Sequence, residues 1–307
     1  MNSTGLSVNL IIPTYNRASV LDRAIESALD QTYEHIEVIV VDDGSTDDTE
    51  SVVGAFDDDR LRYVYQENAG ANAARNRGIR LASGRYVSFL DSDDELHPEH
   101  VERVVKTLEA ADNDVVGAFT NARHLSKGSL VETMNVPGRT VSFEDLRREN
   151  VIGGFSATTF ERRVFEEIGY LDEELASSQD YDLYLRVTKR YRLEGIPEPL
   201  VDIHLDGDRI SDDIDRKIEG QDRLLEKHGD DLAPERIAHH HYVRGLIHGS
   251  NGDLRAARTA FRSALRHHPY APLSVIHYVA TFSGRYGYPM LMSLKKKVKS
   301  FQSRMIK

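Results

Sequence analysis

The segment Tyr86-Val87-Ser88-Phe89-Leu90-Asp91-Ser92-Asp93-Asp94 is a short, largely apolar run that breaks abruptly into acids. Its length and composition predict a buried strand, Tyr86 to Leu90. In open α/β sheets, ligands collect just outside the carboxyl end of such a strand. Side chains two apart on an extended chain share a face, so Asp91 and Asp93 are expected to converge. Converging carboxylates are costly without a cation, and Mg²⁺ or Mn²⁺ takes one or two protein carboxylates and completes its shell with substrate phosphates and water.

Upstream, Val8 to Ile12, Glu37 to Val41 and Leu61 to Tyr65 read as further strands. Between them, Ala18 to Asp30 and Ala71 to Ala82 carry apolar residues at helical spacing, and a helix is predicted from Pro98 to Ala110. This alternation predicts an α/β fold with a mostly parallel central sheet. The first strand runs into Pro13-Thr14-Tyr15-Asn16-Arg17. The second ends in Asp42-Asp43-Gly44-Ser45-Thr46-Asp47, a tight turn before a helix with Thr46 as its expected cap. Taken alone, these acids read better as turn and capping residues. The segment Asn68 to Gly78 opens a helix with Asn72, Arg75 and Asn76 a turn apart, able to face one ligand. Arg75 suits phosphate oxygens, which a guanidinium meets bidentately, or a structural salt bridge.

With 307 residues, 40% hydrophobic and 29% charged, the chain has room for one large α/β domain and a smaller addition. The expected division is 1–212, 213–271 and 272–307. The absence of cysteine excludes disulfides, thiolate metal sites and thiol nucleophiles. No secretory leader is read at the N-terminus, so a cytoplasmic location is expected. The net charge of −11 conceals an asymmetry: from Leu254 to Lys307 there are eleven Lys or Arg and no acid, against 28 basic and 50 acidic residues elsewhere. An acidic body disfavours nucleic acid, whereas the basic end would be drawn to an anionic membrane surface.

Beyond Asp114 the pattern is mixed, with helices expected near Ser142 to Arg148 and Gln179 to Tyr191, and with Gly153, Gly154 and Phe155 as candidate substrate-site residues. From His240 to Pro269 the spacing of Tyr242, Gly245, Leu246, Gly252, Ala256, Phe261 and Ala264 resembles one tetratricopeptide hairpin, which needs a partner surface to bury its apolar side. His239, His240, His241 and His248 are read as a solvated helix face. The stretch Pro272 to Met292, interrupted by His277 and Arg285 and followed by Lys295, Lys296, Lys297 and Lys299, suits an interfacial segment at the cytoplasmic face of the membrane better than a span; a helix packed on the body is the other reading.

Taken in order and at their spacing, the segments at 10–17, 41–47, 68–78 and 86–94, with Ser178-Gln179-Asp180-Tyr181-Asp182 further on, resemble the family 2 glycosyltransferases. The resemblance covers about residues 7 to 205. It implies the GT-A nucleotide-diphospho-sugar transferase fold with, here, a C-terminal helical extension. It further implies that Pro13, Thr14 and Tyr15, with Arg17 nearby, line the nucleoside pocket, that Asp43 reads the base, and that Arg75 lies near the donor phosphates. Asp91-Ser92-Asp93 becomes the DxD motif, with Asp93 the principal ligand of Mn²⁺ or Mg²⁺, Asp91 beside it and His204 a weaker candidate. Relatives carry their catalytic base at the aspartate of a Glu-Asp pair, which corresponds to Asp180 although Gln179 replaces the glutamate; Asp182 is the competitor. The resemblance extends to haloarchaeal-type enzymes that build surface-glycoprotein glycans. The expected reaction is therefore inverting, metal-dependent, non-processive transfer from a nucleotide-diphosphate sugar, with a UDP-sugar as the expected donor, to a glycan or lipid-linked glycan. The processive members' Gln-x-x-Arg-Trp motif is missing, since the chain has no tryptophan.

Three other readings compete with this one. A sugar nucleotidyltransferase needs a glycine-rich loop after strand one, where Pro13 to Arg17 stand instead, and a dinucleotide oxidoreductase needs G-x-G-x-x-G there. A scaffold built on a decayed transferase domain would not need Asp91, Asp93 and Asp180.

Overall fold

A computed structural model describes residues 7–206, 214–284 and 287–288. The chain divides into two compact units, Met1–Asp212 and Asp213–Lys307.

In the first unit, the initial half alternates β1 (Val8–Thr14), α1 (Leu21–Leu29), β2 (Ile36–Asp42), α2 (Thr49–Val53), β3 (Leu61–Tyr65), α3 (Ala71–Leu81) and β4 (Tyr86–Phe89). There follow β5 (Glu95–Leu96), α4 (His100–Ala110), β6 (Val115–Ser126), β7 (Ser129–Thr133), β8 (Thr140–Val141), α5 (Phe143–Leu146), β9 (Thr158–Glu161), α6 (Arg163–Ile168), α7 (Gln179–Thr188) and β10 (Arg192–His204). One sheet runs β3-β2-β1-β4-β9-β6-β10-β5, with β7 beside β6 and β8 beside β10. β1 pairs in parallel with β2 and β4, β2 with β3, and β6 with β10, while β9 lies antiparallel between β4 and β6. Six strands therefore point one way, and their carboxyl ends gather on one edge.

The central strands are apolar on both faces because both are covered. On one side Leu10, Ile12, Val38 and Val40 meet Leu21, Ala24, Ile25 and Ala28 of α1, together with Val101, Val104 and Val105 of α4. On the other, α3 comes close through Gly78, where an added Cβ would stand 2.5 Å from Ile11 Cγ2. That approach leaves room for nothing larger than glycine, and overpacking there would cost about 1–3 kcal/mol. A ring cluster of Phe89, Phe155, Phe160, Phe165 and Tyr184 ties β4, β9, α6 and α7 together.

The largest departure from the sequence expectation is the region after Asp114. It contains the two longest strands, β6 and β10, whose alternation is obscured by register shifts near Ile196, Pro199 and Val201. The helix after β2 is short, and Thr46 does not cap it. The amide of Thr46 donates to Asn16 Oδ1 at 2.8 Å, and Asp47 Oδ1 instead accepts from the Thr49 amide and hydroxyl at 3.2 and 2.5 Å.

The second unit is helical, with α8 (Ile214–His228), α9 (Pro234–Ser250), α10 (Leu254–His267) and α11 (Pro272–Ala280). α9 and α10 form a hairpin turned by Gly252 at φ 82° and capped by Asp253, which accepts from the amides of Arg255 and Ala256. Gly245 admits the Phe261 ring, and α11 with Tyr288 covers the hairpin's apolar side within the same unit. The four histidines are not one solvated face: His239 is exposed, but His240 is 4% exposed and burial lowers its pKa to about 3. Among the described residues no helix is long and apolar enough to cross a membrane. Lys295, Lys296, Lys297 and Lys299 lie outside them.

Candidate active site

The carboxyl ends of β1 and β2 lead into two loops that hold each other. Asn16, at φ 51°, accepts the Thr46 amide and donates its own amide to Ser45 Oγ at 2.8 Å, while the Ala18 amide donates to Asp47 Oδ2 at 3.0 Å. Pro13 and Thr14 are buried, and Tyr15 beside them is 48% exposed. The Thr14 hydroxyl is buried with no hydrogen-bond partner among the described residues, and Arg17 is partly exposed. Asp42 faces inward, accepting from Tyr63 Oη and the Ser45 amide. Asp43 accepts from Gln66 Nε2 at 2.8 Å and from the amides of Ala69 and Gly70 at 2.9 and 2.8 Å. Its carboxylate thus fixes the loop that launches α3, and two oxygens with about four lone-pair directions leave little spare capacity.

α3 contributes Arg75, 5% exposed. A buried guanidinium is costly unless it is paired. Its Nη2 donates to Asp91 Oδ1 at 2.6 Å, its Nη1 donates to Gln179 Oε1 at 3.3 Å and to Asn72 Oδ1 at 3.4 Å, and its Cζ lies 4.4 Å from the centroid of the Phe155 ring, while its buried Nε has no hydrogen-bond partner among the described residues. Asn72 and Asn76 do not join it in facing a ligand. They hold the 171–173 segment, Asn72 Nδ2 donating to the Asp172 carbonyl at 2.7 Å and Asn76 exchanging hydrogen bonds with Leu171 at 2.9 Å. Phe155 likewise belongs to the ring cluster beneath Arg75 and is 4% exposed, so it does not line an acceptor surface. Gly153 at φ 95° and Gly154, whose carbonyl accepts from Tyr184 Oη, form the turn leading to it.

β4 ends at Phe89, so Asp91 and Asp93 stand on a turn closed by the Asp94 amide donating to the Asp91 carbonyl at 3.0 Å. Strand alternation is therefore not what relates them. The turn is held from several directions. Ser156 Oγ accepts the Asp91 amide at 3.1 Å and donates to Asp94 Oδ2 at 2.6 Å. The His204 amide donates to Asp94 Oδ1 at 3.2 Å, and Arg23 Nη2 donates to the Asp93 carbonyl at 2.6 Å. Arg23 also pairs with Glu95, which in turn meets His204 Nε2 at 2.7 Å. Asp94 is buried, and desolvation followed by the charges of Asp91 and Asp93 pushes its pKa well up. Ser92 is buried, whereas Asp91 and Asp93 are partly exposed. The sequence reading missed Arg23, Asp94, Glu95 and Ser156; only Asp94 stood within a quoted motif, and nothing local marked the others.

Among the described residues no three His, Asp or Glu side chains cluster as a complete metal site. The donor set nevertheless suits a hard divalent ion that expects one or two carboxylates and substrate oxygens. Asp91 has one oxygen on Arg75, and Glu95 occupies Nε2 of His204, so any ligand role for His204 falls to Nδ1.

Asp180 lies in the first turn of α7, after Ser178 at φ 60°. Its Oδ1 accepts the Tyr181 amide at 2.7 Å. Burial raises its pKa to about 6, opposed by that amide and by the Arg75 charge and assisted by Asp91. Asp182 is 0% exposed and bound to Arg186 Nε at 2.9 Å. Arg186 in turn donates to the carbonyls of Ile168, Gly169 and Tyr170, so this pair locks α7 to the end of α6.

The model of a family described as glycosyl transferase family 2 matches residues 9–169. The uncharacterized glycosyltransferase YwdF of Bacillus subtilis is 32% identical over 73% of this chain and 85% of its own length. Several rickettsial relatives are longer, and the chain spans 27–60% of their lengths. Among solved structures, Staphylococcus aureus TarS 1–349, in complex with UDP-GlcNAc, superposes with a TM-score of 0.66 at 18% identity, covering 90% of each chain. The mannosyltransferase PcManGT of Pyrobaculum calidifontis, in complex with GDP-Man and Mn²⁺, gives 0.60 at 20% identity over 95% of this chain and 79% of that one. These likenesses establish the fold as GT-A, with a mostly parallel sheet and a helical C-terminal region. With more than half its length under the family model, its motifs on the carboxyl edge of that sheet and a relative matched along most of its own length, the chain belongs to glycosyl transferase family 2.

Proposed function

We propose that the chain is a non-processive, inverting glycosyltransferase that moves a sugar from a nucleoside diphosphate donor, UDP-linked as in the TarS complex, to a hydroxyl of a lipid-linked glycan. The observation that carries this reading is the meeting, through Arg75, of the 91–94 turn with the start of α7, segments about ninety residues apart in the chain.

Asp180 is the base. A carboxyl group with a pKa near 6 is ionised at neutral pH yet basic enough to take a proton as it is released. It accepts the proton of the acceptor hydroxyl while that oxygen bonds to the anomeric carbon from the face opposite the diphosphate. The anomeric carbon–oxygen bond breaks, its electron pair leaves with the diphosphate, and the configuration inverts, as in direct displacements of glycosides. Asp93 and Asp91, with His204 as the weaker candidate, would hold Mn²⁺ or Mg²⁺, whose charge would offset that of the departing diphosphate; PcManGT is in complex with both GDP-Man and Mn²⁺. Arg75 keeps Asp91 oriented and adds positive charge nearby. Pro13, Thr14, Tyr15 and Arg17 bound the nucleoside end, where Asp43 acts mainly by fixing the loop into α3. The organisation into a transferase domain (1–212), a hairpin region (213–271) and a basic tail (272–307) suits a chain that works at the cytoplasmic face of a membrane.

The test is nucleoside diphosphate release from a donor panel with Mn²⁺ or Mg²⁺ and a membrane lipid extract, for wild type, Asp93→Ala and Asp180→Asn. Acceptor-dependent release lost in both variants supports the reading. No release with any donor, together with no metal-linked UDP binding by calorimetry, would leave a non-catalytic scaffold.

A further inference from the structure

Helix α11 is built inside out. Ser274 and His277 are 4% and 3% exposed, and Thr281 just beyond the helix is 1% exposed, whereas Leu273, Ile276, Val279 and Phe282 are 46%, 60%, 61% and 59% exposed. Residues three apart lie on neighbouring positions of a helix surface, so the apolar four form one continuous flank.

The register is not free to rotate. The His277 ring sits between Tyr242 and Phe261, with centroids at 5.5 and 5.6 Å, and its Nδ1 meets Tyr288 Oη at 3.2 Å. Thr281 is tied to Arg258, whose Nη2 donates to its carbonyl at 3.1 Å while the guanidinium lies 4.0 Å over the Phe282 ring. His277 and Thr281 are thus anchored inward by specific partners, and the apolar flank is left outward with a cation at its edge. A contiguous apolar flank of this kind marks an interaction surface.

Charge selects the occupant. From Leu254 to the end the chain carries eleven Lys or Arg and no acid. A symmetric dimer through this flank would bring the Arg258 cation at its edge against its own copy, because a two-fold interface opposes the same patch to itself. An anionic bilayer offers both apolar depth and negative headgroups. We propose that Leu273, Ile276, Val279 and Phe282 dock the chain on an anionic lipid surface, sinking to the acyl boundary while Arg258 at the edge of the flank meets the headgroups. The inference extends the lipid-linked acceptor reading, and its test is independent of turnover.

The full chain is floated with phosphatidylcholine vesicles, with and without phosphatidylglycerol, as wild type, as Ile276→Glu/Val279→Glu and as Ile276→Ser/Val279→Ser. These side chains are exposed, so the substitutions leave the packed side of α11 intact, and unchanged circular dichroism and donor hydrolysis in solution verify this. The expected result is wild-type binding to the anionic vesicles only, released by salt, with a loss of about tenfold or more in the Glu pair and a smaller loss in the Ser pair. Vesicle binding without any donor turnover would sustain this inference while removing the transferase reading. Variants that float like wild type, wild type that ignores anionic vesicles, or a wild-type dimer that the Glu pair converts to monomer would each overturn it; the last would assign the flank to a second copy.

Discussion

The loops after β1 and β2 and the turn after β4 occupy the same edge of the sheet but are stabilised differently. The first pair is stitched by reciprocal hydrogen bonds among Asn16, Ser45, Thr46 and Asp47, about thirty residues apart at most. The 91–94 turn is held by Arg23, Arg75, Ser156 and His204, which come from α1, α3, the turn before β9 and the end of β10. The donor's nucleoside end would therefore rest on a locally closed element, whereas the reacting end depends on the whole unit being folded. Perturbing the first should weaken donor binding, and perturbing the second should lower turnover.

The largest expected effect is that of Asp180→Asn, a fall in kcat of about 10²–10⁴-fold with donor KM little changed. Because burial raises the folded-state pKa of Asp180 from 3.8 to about 6, ionisation disfavours the fold, and wild-type stability falls as pH rises between those values. The same variant should therefore be more stable at pH 8, by about 1–3 kcal/mol, with the difference vanishing below about pH 4. Urea melts at both pH values check this, and wild-type kcat should decline as pH falls through about 6.

Next in size, Asp93→Ala should abolish the dependence of nucleoside diphosphate release on Mn²⁺ and lower kcat by about 10²-fold or more, because the charge on the departing diphosphate loses its electrostatic stabilisation. A metal titration that remained saturable at the wild-type concentration would remove Asp93 from that role. Ser156→Ala leaves Asp94 and the Asp91 amide each short of a partner. It should cost about 1–3 kcal/mol in thermal or urea stability and lower kcat more than it raises donor KM.

On the nucleoside side, Asp43→Asn replaces one acceptor oxygen with a donor that faces backbone amides. Donor KM should rise several-fold with kcat nearly unchanged; a fall in kcat alone would erase the contrast between the two regions. Smallest of all, Thr46→Val keeps the backbone amide that Asn16 binds and loses no helix cap, so stability should stay within about 0.5 kcal/mol.

The amino-acid sequence by itself determined the first half of the sheet, because β1 to β4 and the helices between them have local apolar periods that single strands and helices must obey. Residue type and local spacing also pointed to Asp91, Asp93 and Arg75 as candidates, and the family resemblance to Asp180. The sequence did not reveal the long strands β6 and β10, whose register shifts disguise the two-residue period, or that Phe155 and Asp182 are packing and anchoring residues. Nor could it show Ser156 beneath the 91–94 turn, the Arg23–Glu95–His204 chain beside it, or the inverted burial of α11. Each of those depends on groups that meet only after distant strands and helices have packed. Tertiary structure decided them because a hydrogen bond or an aromatic contact is fixed by position in space, while a local pattern constrains only its own segment.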